Sequence, residues 1–128
     1  MPNISMAKSF IQKAEIRLAK IIREGVIESE SSIIFEDIYE SLREASQALM
    51  EIKGYKPYSH EALISFLLEH KLLDEGIIRI LDNFRALRND SVYQAQKISL
   101  NKCLEALDFA KKTLPIIKKR FDNLAGNH

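Results

Sequence analysis

The stretch SIIFEDIYESLREASQALMEIK, residues 32–53, places Ile34, Ile38, Leu42, Ala45, Leu49 and Ile52 at intervals of three and four. An apolar side chain at that interval lines one face of an α-helix, because a turn takes about 3.6 residues. The serines at 29–32 can cap its start and Gly54 can end it, so the spacing predicts a helix over 32–53. The same pattern continues in both directions. Upstream, Met6, Phe10, Ala14, Leu18, Ile21 and Ile22 predict a helix over 4–25, closed by Gly25. Downstream, beyond the loop Gly54-Tyr55-Lys56-Pro57-Tyr58, Ser59 can cap a short helix that carries Leu63, Phe66 and Leu67 and stops near His70. Asp74 then caps a helix with Ile77, Ile80, Leu81 and Phe84 as its stripe. Ser99 caps the last, in which Leu100, Leu104, Leu107, Leu114, Ile117, Phe121 and Leu124 repeat. Pro115 should bend that helix, since it lacks the amide that would bond the carbonyl of Lys111. Long helices joined by short connections form an all-α up-and-down bundle of four to five helices, expected here as one domain over 1–128 with its core about 5–124.

Composition narrows the function classes. A chain of 128 residues is the size of a single domain and can bury an ordinary core. Four Gly and three Pro are too few for an all-β fold with many tight turns. No apolar run approaches the roughly 18 residues that cross a bilayer, so no membrane is expected as a partner. The start, Met1 to Lys8, lacks a basic stretch followed by an apolar one, and the expected location is the cytoplasm. Cys103 is the single cysteine and reads as an inert small hydrophobe. His60, His70 and His128 are scattered and have no cysteine partners, so neither a metal nor a cofactor is expected. Tyr39, Tyr55, Tyr58 and Tyr93 read as amphipathic rim residues. No glycine-rich phosphate loop, nucleophile elbow or glycosidase-type acid pair is present.

Nineteen bases against eighteen acids leave +1, and no general field attracts nucleic acid. The distribution is uneven. Between Glu28 and Glu51 seven acids face Arg43 alone, whereas from Lys97 onward seven bases face three acids. These segments read as solvated helix faces whose mutual attraction helps to set the pairing of the bundle.

One residue breaks the helical pattern. With Ile77 at zero and about 100° per residue, Phe84 falls at about −20°, Leu81 at about +40° and Arg88 at about +20°, within the apolar stripe. A guanidinium keeps its charge, so burial there must be met by a carboxylate, by carbonyls or by a bound anion. Arg88 is therefore either a structural residue that reaches the bundle end or a phosphate-binding one.

The surrounding segment, Phe84-Arg85-Ala86-Leu87-Arg88-Asn89-Asp90-Ser91-Val92-Tyr93, resembles the signature of HEPN domains, small helical bundles of bacteria and archaea. That signature has an Arg, usually followed by a polar residue such as Asn, and then a His after four to six residues. Gly54 to Leu67 is similar to the turn into the third helix of several HEPN subfamilies, and Ile98-Ser99 with Ala106 to Lys111 to the final helix. The resemblance covers about residues 5–122. It implies a homodimer, a nucleotide- or RNA-phosphate site at Arg88, Asn89 and Tyr93 with His60 and Asp90 as supporting candidates, and a partner in a minimal nucleotidyltransferase. In catalytic relatives the Arg holds the scissile phosphate and the His handles the proton of the ribose 2′-hydroxyl. Here Tyr93 stands at the His position, and a phenol of pKa about 10 is a poor base at neutral pH. Weak or no ribonuclease activity is expected. The alternatives are an active metal-independent ribonuclease, for which His60 could reach Arg88 from the third helix, and a bundle whose role is assembly. His60 on its own reads as a loop-packing residue, and His70 as one suited to a helix C-terminus.

Overall fold

The computed structural model describes residues 2–56 and 59–126, so the expectations for Pro57, Tyr58 and His128 lie outside it. Five α-helices follow one another: α1 (Ile4–Glu24), α2 (Ser31–Ile52), α3 (His60–Glu69), α4 (Glu75–Gln94) and α5 (Leu100–Ala125). No strand occurs among the described residues. The chain is an all-α bundle, with every predicted helix present and the boundaries within one residue of those read from spacing for α1 and α2.

Caps explain why the helices start where they do. Asn3 accepts from Met6, Ser59 from Ala62, Asp74 from Gly76 and Ser99 from Lys102, each side chain satisfying an amide that has no partner within its helix. Gly25 ends α1 at φ 78°, a left-handed conformation that costs glycine little. The serines before α2 behave differently from expectation. A 3-10 turn over Glu28–Glu30 precedes that helix, and its N-terminus has no side-chain cap. Ser31 instead donates to the Ile98 carbonyl at 2.6 Å, and Ser32 accepts from the Ile98 amide at 2.8 Å. The connection from α4 to α5 is thereby fastened to the start of α2.

α2 is the central helix and packs against all four others. Besides the predicted Ile38, Leu42, Ala45, Leu49 and Ile52, it buries Phe35, Tyr39, Ser41, Glu44, Ser46 and Ala48, so it has no solvent face of ordinary width. The burial of Tyr39 corrects its reading as a rim residue. α1 runs antiparallel to α2, since Lys13 meets Glu44 while Arg17, one turn on, also reaches back to Asp37. α4 and α5 are antiparallel as well: Phe84 meets Phe109, and the segment before α4 meets the far end of α5 through Arg120 and the Leu72 carbonyl.

The predicted stripes of α1, α4 and α5 are rotated slightly from the true core faces, whereas Leu63, Phe66 and Leu67 of α3 are buried as expected. α1 buries Ala7, Ile11, Ala14, Leu18 and Ile21 and leaves Met6 and Ile22 outside. α4 buries Ile78, Leu81, Phe84 and Ser91 and exposes Ile80; α5 buries Cys103, Ala106, Ala110 and Ile117 and exposes Leu104. Small residues at the contact let helices approach closely, and spacing arguments that weigh large side chains pass them over. α5 continues through Pro115 to Ala125 as one helix.

The charged segments do not pair with each other among the described residues. Acids of α2 pair with α1 and with their own helix, through Arg17–Glu44, Lys13–Glu44 and Arg43–Glu40, and lysines of α5 pair with Glu105, Asp108 and Asp122 of that helix. Nor is Glu44 solvated: its carboxylate is 1% exposed. α5 also packs against α2, so adjacency of two helices does not by itself pair their charges. Each acid and base is met first by a closer neighbour at i+3 or i+4 or on α1.

Candidate functional site

The last turns of α4 and the first turn of α3 enclose a cleft of about 430 Å³. Arg85, Arg88, Asn89 and Tyr93 line it from α4, and Ser59, His60 and Glu61 from the start of α3. The i, i+3/i+4 spacing of a helix puts Arg85, Arg88 or Asn89, and Tyr93 on one side. Capping by Ser59 starts α3 at the place where His60 faces that side.

Arg88 is half-buried. It donates to the Asn89 side-chain oxygen at 3.2 Å and lies 5.9 Å from the centre of the Tyr93 ring, within cation–π range. Among the described residues no carboxylate pairs with it, whereas Arg85 is held by Asp82 at 2.8 Å and Glu61 at 3.5 Å, and Arg43 by Glu40. The apolar stripe therefore brings a guanidinium to the bundle end with donor capacity left over. Tyr93 is 74% exposed and forms the outer edge.

His60 is oriented from below. The hydroxyl of the buried Tyr39 lies 3.4 Å from its Nδ1, and the rings are 5.7 Å apart. A sequence pass finds no nearby group to orient His60, because Tyr39 is a helix away in the chain. Burial, with Arg43 and Arg88 adding like charge, lowers its pKa below the ordinary 6.5. Burial likewise pushes the Tyr39 phenol up to about 12. Glu40, which burial alone would raise, is lowered by its hydrogen bond to Arg43.

A pH dependence follows. With its folded pKa depressed, His60 contributes stability that is present above about 6.5 and is lost as pH falls through the folded value, because the unfolded chain then binds the proton more readily. Urea unfolding at about pH 7.5 and 5.5 should show a less stable protein at the lower pH, and His60→Gln should flatten the difference.

Of the expected site residues, Arg88, Asn89, Tyr93 and His60 meet at the cleft. Asp90 is not among its lining residues; its carbonyl instead accepts from Ala95 and Gln96 and closes α4. Arg85 and Tyr39 were missed. Arg85 was legible as the i−3 neighbour of Arg88, whereas nothing in the spacing marked Tyr39. His70 stacks on Phe66 at 4.1 Å and Cys103 is fully buried, both away from the cleft. Among the described residues no three His, Cys, Asp or Glu side chains form a metal-ligand set, and no helix is long and apolar enough to cross a membrane. A larger cavity of about 700 Å³ lies between the starts of α2 and α5, but two of its serines are already engaged with Ile98.

No model of a known protein family matches the chain, and no curated protein matches it at a significant level.

Proposed function

We propose that this protein is a HEPN-like binder of nucleotide or RNA phosphate, the accessory or toxin-like partner of a minimal nucleotidyltransferase, with weak or no ribonuclease activity. The observation that carries the reading is the half-buried Arg88 guanidinium, unpaired with any carboxylate among the described residues and opening into a cleft with Asn89 and Tyr93. A phosphate oxygen pair suits its planar fork. Arg88→Ala is expected to weaken binding of a labelled oligoribonucleotide and of adenosine monophosphate roughly tenfold to a hundredfold, with the fold unchanged. Arg88→Lys should also lose affinity, because an ammonium does not reproduce the fork. Unchanged binding in Arg88→Ala, read by fluorescence anisotropy and by competition, leaves Arg88 a structural residue.

The presence of His60 in the same cleft favours the ribonuclease as the second reading. Metal-free cleavage of an RNA pool by the wild type, abolished in Arg88→Ala, decides for it. The reading includes a homodimer, for which light scattering should give about 29 kDa, twice the 14.7 kDa chain. A monomer at tens of micromolar counts against that arrangement.

A further inference from the structure

We propose that Tyr39 fixes His60 as the tautomer protonated on Nε2, and that His60 is thereby a neutral hydrogen-bond donor to a phosphate oxygen held at Arg88, a binding residue of the cleft and not its base. The inference rests on the phosphate-binding reading above and names the group that completes that site.

The argument starts from the buried phenol. Tyr39 is 3% exposed, and among the described residues the hydrogen-bond partner of its hydroxyl is His60 Nδ1. A buried hydroxyl left without an acceptor for its proton is costly, so the O–H donates to Nδ1. A neutral imidazole whose Nδ1 accepts carries its proton on Nε2, the nitrogen on the far side of the ring. His60 also lines the cleft that Arg88 enters, so that proton is available to a ligand. The charged groups around the ring are Arg43 and Glu40 of α2, Arg85 and Arg88 of α4 and Glu61 of α3. Burial first, and then the excess of guanidinium over carboxylate, favour the neutral ring, and the same excess keeps the cleft receptive to an anion. A base at this position would need Nε2 unprotonated, which the Tyr39 contact opposes. Tyr39 is then a positioning residue acting through His60.

Two measurements on the full chain test the inference. Long-range proton–nitrogen correlation spectra at about pH 7.5 should show His60 Nδ1 as the unprotonated nitrogen, with Tyr39→Phe mixing the tautomers. The Nδ1-protonated form in the wild type overturns the proposal. Affinity for a labelled single-stranded oligoribonucleotide, with inorganic phosphate as competitor in metal-free buffer, should fall about tenfold in His60→Ala. It should stay within about threefold in His60→Gln, whose amide N–H replaces the Nε2 donor, and fall to an intermediate value in Tyr39→Phe. Binding that is lost in Arg88→Ala but unchanged in His60→Ala overturns the role of His60 alone. Absence of binding by the wild type overturns the phosphate reading itself, while the tautomer spectrum still reports whether Tyr39 sets the ring.

Discussion

Phe35→Ala should lower the unfolding free energy by about 4 kcal/mol, the largest loss expected from a single core truncation in this bundle. Phe35 is fully buried on the central helix, its ring edge-on to Phe84 at 5.6 Å, and Phe84 is edge-on to Phe109 at 5.5 Å. Three helices therefore converge on one aromatic stack. Removing the first ring forfeits its transfer energy, leaves a cavity and breaks an edge-to-face contact. The midpoint of thermal unfolding should fall by roughly 10 to 15 °C in a chain of this size. Phe35→Leu keeps most of the volume and should cost about 1.5 kcal/mol. Arg88 lies one turn beyond Phe84, so anion affinity measured well below the midpoint should change little in Phe35→Leu. Urea unfolding checks the first expectation, and a loss under about 1 kcal/mol would mean that the stack is not the packed centre of the fold.

Arg17→Leu should destabilise the protein by about 3 kcal/mol. Glu44 faces into the α1–α2 contact with its carboxylate 1% exposed, and Arg17 donates to it from Nε at 2.9 Å and Nη2 at 3.4 Å. That hydrogen bond raises the Arg17 pKa against the opposing effect of burial. Lys13 approaches the same carboxylate at 3.4 Å but is largely in solvent and compensates only partly. Without Arg17, a buried carboxylate keeps little of its compensation, which costs far more than the pair itself contributes. The double variant Arg17→Leu with Glu44→Leu should regain most of the loss, since an apolar pair of similar volume needs no desolvated charge. If the double variant is no more stable than Arg17→Leu, Glu44 is not the origin of the cost.

Helices and their starts were legible from the chain. Ser59, Asp74 and Ser99 were read as caps and act as caps, because a cap is a local bond between a side chain and an amide two or three residues on. The serines at 31 and 32 were misread for the complementary reason. Their partner is Ile98, 66 or 67 positions away, and nothing local distinguishes a capping serine from one that fastens a distant segment. The core faces were legible to within a fraction of a turn. On α1 Met6 looked inward by size and spacing but Ala7 makes the contact, and on α5 Leu104 gives way to Ala106 and Ala110, because small residues let helices approach closely. On α4 Ile78 takes the buried place expected of Ile80.

The same division holds at the site. Arg88 was identifiable because an arginine in an apolar stripe is an anomaly of one helix, and its neighbours Asn89 and Tyr93 follow from the same helix. Sequence by itself thus determined the all-α bundle, the register of its helices to about one residue and the residue around which a site could form. Tertiary structure alone decided the rest. It left Arg88 without a carboxylate among the described residues while supplying Glu61 to Arg85 and Glu40 to Arg43, set Tyr39 beneath His60, and brought His60 to the cleft. Helical periodicity and caps are encoded within a few residues, whereas the partner of a charge or an imidazole depends on how helices pack across the bundle, which no short stretch of sequence specifies.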